Sequence, residues 1–225
     1  MLAEKLTQIG CRIVQANTDG LFVLLKKSIY EQANKICREW EQLTRLTLEE
    51  ERFEAMYQYA INDYIAVKEG YRETKNPDLI KTKGMFITKV LLGKGLSAKI
   101  IPEAIIKYFV DGIPVESTIK GCTDIRKFLM SEKTGKQWHV EYMNQEQQRT
   151  NRFYASTNGG YLWKWKYSDN TDAKSYQNML TASGVTLLNK FDDKPIEERK
   201  INYRYYLREA LKIIEELQPR QLELF

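Results

Sequence analysis

Apolar positions along this chain alternate in some stretches and recur at helical spacing in others, and turn signals mark most of the changes. Residues 2 to 9 read as the last turns of a helix closed by Gly10. Two β-rich runs follow, Cys11 to Ala16 and Leu21 to Leu25, on either side of Asn17-Thr18-Asp19-Gly20. Asp-Gly between such runs predicts a hairpin, with one carboxylate held at the tip of a tight turn on two buried strands. Ser28 then suits the N-cap of a helix to about Arg45, with Ile29, Ala33, Ile36, Trp40 and Leu43 on one face. From Leu46 to Lys68 the pattern turns strand-like. Leu46, Leu48 and Phe53 lie in one run, Met56 to Ile61 and Tyr64 to Val67 in two more, with Asn62-Asp63 as a turn. After a polar loop from Gly70 to Asp78, Lys81 to Ile87 predicts another short strand.

Composition shifts near Gly93-Lys94-Gly95, the expected boundary between two parts. Beyond it, Ile101, Ile105 and Phe109 predict a helix from Ser97 to Val110, ended at Asp111-Gly112-Ile113-Pro114. A second helix is expected over Asp124 to Ser131, followed by a polar, poorly periodic stretch from 133 to 150. Arg152 to Ser156, a turn at Asn158-Gly159-Gly160 and Tyr161 to Tyr167 read as a second hairpin. In it Trp163 and Trp165 alternate with Lys164 and Lys166, giving one aromatic and one basic face, and the tryptophans are expected to pack against the sheet. The last helix, Asn202 to Leu217, turns Tyr206, Ala210, Ile213, Ile214 and Leu217 inward, and Pro219 stops it.

The 225 residues suffice for one large domain or two small ones, and 43% hydrophobic with 29% charged residues is the balance of a soluble globular chain. No apolar run reaches the ~18 residues of a membrane span, and Met1-Leu2-Ala3-Glu4-Lys5 does not resemble a secretory signal. Cys11, Cys37 and Cys122 match neither a disulfide framework nor a zinc site, which points to a reducing cytoplasm. His139 is the sole histidine, so metal chemistry here has to run on carboxylates. A net charge of +5 with 12% aromatic residues is compatible with nucleic-acid binding.

Nucleotidyl transfer uses divalent ions roughly 3.5–4 Å apart that bridge the attacking and leaving oxygens, and carboxylates hold Mg²⁺ for it. Asp19 suits that task. Asn17, two residues back on the same strand face, adds an oxygen but no charge. A plain turn is the competing explanation, because most Asp-Gly hairpins are only turns.

Asn17-Thr18-Asp19-Gly20 resembles motif C of family B DNA polymerases, usually Asp-Thr-Asp-Ser. The resemblance implies that Asp19 is the essential metal ligand, with Asn17 and Thr18 in supporting positions; Asn17 and Gly20 depart from the family pattern. Leu46-Thr47-Leu48-Glu49 resembles the following palm strand and implies Glu49 near the metal site. Asn62-Asp63-Tyr64-Ile65 resembles the Lys-Lys-Arg-Tyr segment that touches the primer, with Tyr64 matched and the bases absent. Lys81-Thr82-Lys83-Gly84 resembles the Lys-x-Lys-Gly strand beside the duplex, although lysines also guard strand edges against aggregation. From about residue 97, with Ile101-Pro102-Glu103-Ala104 near its start, the chain resembles the thumb of phage and bacterial members. There Lys94, Lys99, Lys107, Arg149, Arg152 and Lys164 would meet the DNA backbone. Gln221-Leu222-Glu223-Leu224-Phe225 matches the Gln-Leu-x-Leu-Phe peptide that binds bacterial sliding clamps, which implies contacts from Gln221, Leu222, Leu224 and Phe225; a frayed amphipathic tail is the alternative.

The expectation is thus an α+β chain: residues 1–92 the end of a palm, with an antiparallel sheet, a β-hairpin and packed helices; 93–218 a mainly helical thumb with a small hairpin; 219–225 a clamp-binding tail. The resemblance implies a DNA-directed DNA polymerase working in DNA replication with two Mg²⁺ ions, or Mn²⁺, in the complete enzyme. Its partners would be primer–template DNA, dNTP, an N-terminal half carrying exonuclease, palm motif A and fingers, and a sliding clamp, with no membrane. The setting would be the cytoplasm of a bacterium or a phage-infected cell. The upstream Asp and the triphosphate-binding Lys of the family are not in this sequence, so the chain alone is expected to be inactive. The opposing expectation is a non-catalytic DNA-binding and clamp-binding module in which the hairpin is purely structural.

Overall fold

The structure, a computed structural model, describes residues 1–17, 20–88, 97–168 and 171–217. Thr18, Asp19, Lys94 and the expected clamp-binding tail lie outside the described residues. In chain order the elements begin with α1 (Leu2–Gln8), β1 (Arg12–Ala16), β2 (Leu21–Leu24), α2 (Tyr30–Thr44), β3 (Phe53–Ala60), β4 (Asp63–Lys68), α3 (Tyr71–Thr74) and β5 (Ile80–Lys83). They continue with α4 (Ile100–Asp111), α5 (Val115–Lys120), β6 (Met130–Lys133), β7 (His139–Tyr142) and β8 (Gln145–Gln147). The last are β9 (Thr150–Gly160), β10 (Leu162–Ser168), β11 (Thr171–Asn178), β12 (Val185–Leu187) and α6 (Tyr203–Leu217). The chain is α+β, as its pattern predicts, and among the described residues all its strand pairs are antiparallel.

β4 lies between β3 and β5, and Tyr64-Ile65-Ala66-Val67 are all buried, which explains their unbroken apolar run. Ile65 and Phe86 belong to the same core as Ile100, Ala104 and Ile105 of α4, Ile119 of α5, and Tyr206, Ala210 and Ile214 of α6. The Tyr57 hydroxyl donates to the Phe109 carbonyl at 3.0 Å, and the two rings lie 4.6 Å apart. The Tyr71 hydroxyl donates to Asp111. The boundary expected near residue 93 therefore falls between segments that share one continuous core.

The second half carries far more β-structure than a mainly helical thumb with one hairpin. In place of the helix expected over Asp124 to Ser131, Asp124 caps a single 3-10 turn, Ile125–Phe128, and β6 begins at Met130. Burial of Phe128 and Leu129, with the Tyr206 hydroxyl donating to the Phe128 carbonyl at 2.8 Å, overrides the local helical pattern. The polar stretch 133–150 contains β7 and β8, joined through Met143 and Asn144, both at positive φ as a type I′ turn requires.

β9 and β10 are not hairpin partners. β9 pairs with β6 and β12, whereas β10 pairs with β7 and β11. A Cβ on Gly159 would stand 2.1 Å from the Val185 carbonyl oxygen, so this glycine permits a close crossing rather than making a turn. The two sheets share a small core of Val140, Phe153, Leu162 and Val185. The Tyr142 hydroxyl joins them, donating to the Val185 carbonyl and accepting from the Gly160 N–H.

At the other end, α1, β1, β2 and α2 enclose a separate cluster centred on Leu6, Cys11 and Ala33. No helix among the described residues is long and apolar enough to cross a membrane.

Candidate catalytic hairpin and its surroundings

β1 and β2 form the expected hairpin, in register Gln15↔Phe22 and Ala16↔Leu21, with an irregularity between Ile13 and Gln15. Its strands are less buried than their composition predicts; Val14 and Leu24 face solvent, and Gln15 is instead the buried residue of β1. Both ends of the buried amide are engaged: its Nε2 donates to the Ile61 carbonyl at 3.2 Å, and its Oε1 accepts from Gln58 at 2.8 Å. Opposite it, the Phe22 ring lies 5.7 Å from Phe53 and 5.8 Å from Tyr64. One polar and one aromatic side chain thus seat the hairpin on β3 and β4, with Gln15 beside the β3–β4 turn and Phe22 reaching from Tyr64 to Phe53.

At the loop, the Asn17 N–H donates to the Gly20 carbonyl at 3.0 Å, and the Gly20 N–H donates to Asn17 Oδ1 at 2.8 Å. Asn17 therefore closes the turn from its side chain, as Asn commonly does. A Cβ on Gly20 meets nothing among the described residues within 4 Å. The serine of the polymerase pattern would fit at this position.

The two segments that resemble primer-contacting motifs are fastened to one another. Asp63 Oδ1 accepts the Met85 N–H at 2.8 Å. Gly84 has φ +64, and a Cβ there would lie 2.1 Å from Asp63 Oδ1 and 2.3 Å from the Asn62 carbonyl. The glycine ending Lys81-Thr82-Lys83-Gly84 is where that segment passes across the β3–β4 turn, and Asp63 serves this contact. Around the same end of the sheet, Tyr59, Ile61, Met85 and Ile87 are exposed apolar residues.

Glu49 lies in the exposed segment before β3, and the eight residues of β3 separate that end from the β3–β4 turn. At ~3.3 Å per residue this is roughly 26 Å. Its neighbour Glu50 accepts from the hydroxyl of Tyr30, at the start of α2, which marks the opposite end of the hairpin layer. Tyr64 is 5% exposed, and its ring packs on Phe22 rather than facing solvent. Lys81 Nζ sits 2.7 Å from Glu51, which also holds Lys68 at 2.8 Å. Hydrogen bonds from Lys68 and Lys81 hold the Glu51 carboxyl below the usual range, and Glu51 in turn raises Lys81.

The other expected phosphate contacts are dispersed. Lys83 is exposed on β5, Lys99 is half-buried before α4, and Arg149 is exposed before β9. Arg152, on β9, reaches the Asn189 carbonyl at 3.5 Å. Lys107 pairs with Glu103 at 3.0 Å, and Lys164 with Glu132 at 3.4 Å.

Two cavities draw on residues outside the motif reading. A charged cleft of about 410 Å³ is lined by Glu50, Glu51, Arg52, Lys68, Glu69 and Leu79, at the end of the sheet away from the β3–β4 turn. A pocket of about 280 Å³ is lined by Ala182, Asn202, Arg204, Tyr205 and Arg208. The four-residue spacing of Arg204 and Arg208 on the final helix is the signal that could have found the second. Among the described residues no group of three or more His, Cys, Asp or Glu is placed to hold a metal ion. Comparison with protein-family models, with curated proteins and with solved structures finds no match to this chain.

Proposed function

We propose that this chain is the palm-to-thumb end of a template-directed DNA polymerase. Asp19 supplies one metal-binding carboxylate, and the rest of the chain holds primer–template DNA. The observation that carries the reading is that the hairpin bearing Asn17 and the Lys81-to-Gly84 segment both reach the β3–β4 turn. The Asn17–Gly20 loop lies on a hairpin seated by Gln15 beside Ile61, and the Lys81-to-Gly84 segment is fastened to the same β3–β4 turn through Asp63. In sequence, these segments resemble successive motifs of one enzyme family, in the order that family uses.

The described residues hold no complete two-ion site of their own. The remaining carboxylate, the lysine for the incoming dNTP and the fingers would come from a partner half, so this chain alone does not extend a primer. The terminal Gln221-Leu222-Glu223-Leu224-Phe225 would tether the enzyme to a sliding clamp.

The test is primer extension with Mg²⁺ by this chain combined with the polypeptide encoded by the adjoining upstream reading frame. Extension should require both parts, and Asp19→Ala should abolish it, by ~10³-fold or more if Asp19 carries transition-state charge through the metal. Full activity in Asp19→Ala would reduce the hairpin to a structural turn and leave a DNA-binding and clamp-binding module. Deleting residues 221–225 should remove clamp binding without changing thermal unfolding; unchanged clamp binding defeats the tail assignment.

A further inference from the structure

β10 turns Trp163, Trp165 and Tyr167 to one face of the sheet β11-β10-β7-β8. The register sets Glu141 and Asn178 on either side of Trp163, His139 and Tyr176 beside Trp165, Lys174 opposite Tyr167, and Glu146 opposite Glu141. The rings touch in sequence: Tyr161–Trp163 at 6.3 Å, Trp163–Tyr176 at 6.5 Å, Trp165–Tyr176 at 6.2 Å and Trp165–Tyr167 at 5.5 Å. This cluster lies over the sheet's own residues, with Trp165 half-buried, and does not enter the core. Trp163 is 36% exposed, Tyr176 49%, Tyr161 52% and Tyr167 55%. The core contact comes from the opposite face, through Leu162 and Val140.

The charges sort by face as well. Lys164 and Lys166 lie on the other side, over the Trp138 ring at 5.4 and 5.8 Å. On the aromatic side, Glu141 and Glu146 stand against Lys174 and His139, and His139 Nδ1 lies 3.1 Å from Glu146. A chain of net charge +5 therefore carries an aromatic face with an excess of carboxylates. That face already holds a cation of its own: Lys174 Nζ is 4.1 Å from the Trp165 ring centroid, with the His139 ring stacked on Trp165 at 4.2 Å.

We propose that this face docks a basic, arginine-bearing polypeptide segment of a partner protein. Guanidinium planes would stack on Trp163, Tyr161 and Tyr176 while Glu141 and Glu146 accept their N–H groups. Arginine suits both demands, because its planar cation stacks on rings and forks onto carboxylates. A nucleic-acid strand is disfavoured on the same grounds, since its phosphates would meet the carboxylates and find the lysines on the wrong side. The proposal stands apart from the polymerase reading and does not need it.

The test follows tryptophan fluorescence of the full chain, and anisotropy of a labelled peptide of alternating Arg and Gly, at low and moderate salt. The peptide should bind despite the like net charge of the two molecules. Trp163→Ala should weaken it about tenfold, as expected for loss of a desolvated cation–π contact. The paired change Glu141→Gln with Glu146→Gln, which alters charge but not shape, should weaken it at least as much and flatten its salt dependence. Absence of binding, or equal binding to all three proteins, overturns the proposal. So does binding of a thymidine oligonucleotide that competes with the peptide and is lost in Trp163→Ala.

Discussion

The core and the hairpin layer of this protein are built to different standards. Around β4, α4 and α6, residues such as Ile65, Phe86, Ile105, Phe128 and Tyr206 have no measurable exposure. Among the described residues of the N-terminal layer only Leu6, Cys11 and Ala33 are buried apolar residues, while Val14 is 45%, Leu24 60% and Leu43 76% exposed. Stability resides in the first region. The candidate chemistry lies on the second, which is seated chiefly through Gln15 and Phe22. A hairpin held this way can be perturbed without dissolving the core, and that is the property the following changes probe.

The largest effect should come from Phe86→Ala. Phe86 belongs to the core shared by both halves, so its truncation should cost about 3–5 kcal/mol in urea unfolding monitored by circular dichroism. A loss below about 1 kcal/mol would mean that the two halves do not share a core. Next is Tyr206→Phe. The Tyr206 hydroxyl, fully buried, donates to the Phe128 carbonyl and accepts the Ala155 N–H, each at 2.8 Å. Removing it leaves two buried backbone groups without their partner and should cost about 2–3 kcal/mol. If the loss is under 0.5 kcal/mol, the β-rich region does not depend on α6 through this hydroxyl.

Gln15→Ala tests the other region and should cost less, about 1 kcal/mol. Its mark should be local: amide exchange in β1 and β2 accelerates while β4 stays protected. Equal acceleration in β4 would erase the distinction between the layer and the core.

Local rules made much of this fold legible, and long-range pairing hid the rest. The first hairpin, the helix ending near Arg45, the continuous apolar strand at Tyr64 to Val67 and the face of the last helix all follow from spacing and turn chemistry. The same rules failed at Asp124 to Ser131, where Phe128 is claimed by a tertiary contact. They failed again at Asn158-Gly159-Gly160, where Gly159 makes room for the backbone of a strand some 26 positions later. For the candidate site, sequence order suggested that the motifs belong together, but it could not report distance. Glu49 precedes β3 and stands at the end of that strand away from the β3–β4 turn, a position that order along the chain does not give. Gly84 and Asp63, read as part of a DNA-contacting series, turn out to hold one another.

The smallest effect concerns acidity, and it separates the two regions by order rather than by amount. Glu50 joins the layer to the sheet: Arg52 binds it at 2.7 Å, and the Tyr30 hydroxyl donates to both of its oxygens at 3.0 Å. Hydrogen bonding from Arg52, reinforced by Tyr30, holds its carboxyl below the ordinary 4.5, as Lys68 and Lys81 do for Glu51. A carboxyl lowered on folding stabilises the folded state above its unfolded value, and that contribution is lost as pH falls through the folded value. Both groups are roughly half exposed, so each is worth well under about 1 kcal/mol. Acidification from pH 5 downward should therefore leave global unfolding nearly unchanged at first, while exchange in α2, β1 and β2 rises ahead of exchange in β4. Glu50→Gln should produce that pattern already at neutral pH. If exchange in β4 rises first, the layer is not the weaker of the two regions, whatever its burial suggests.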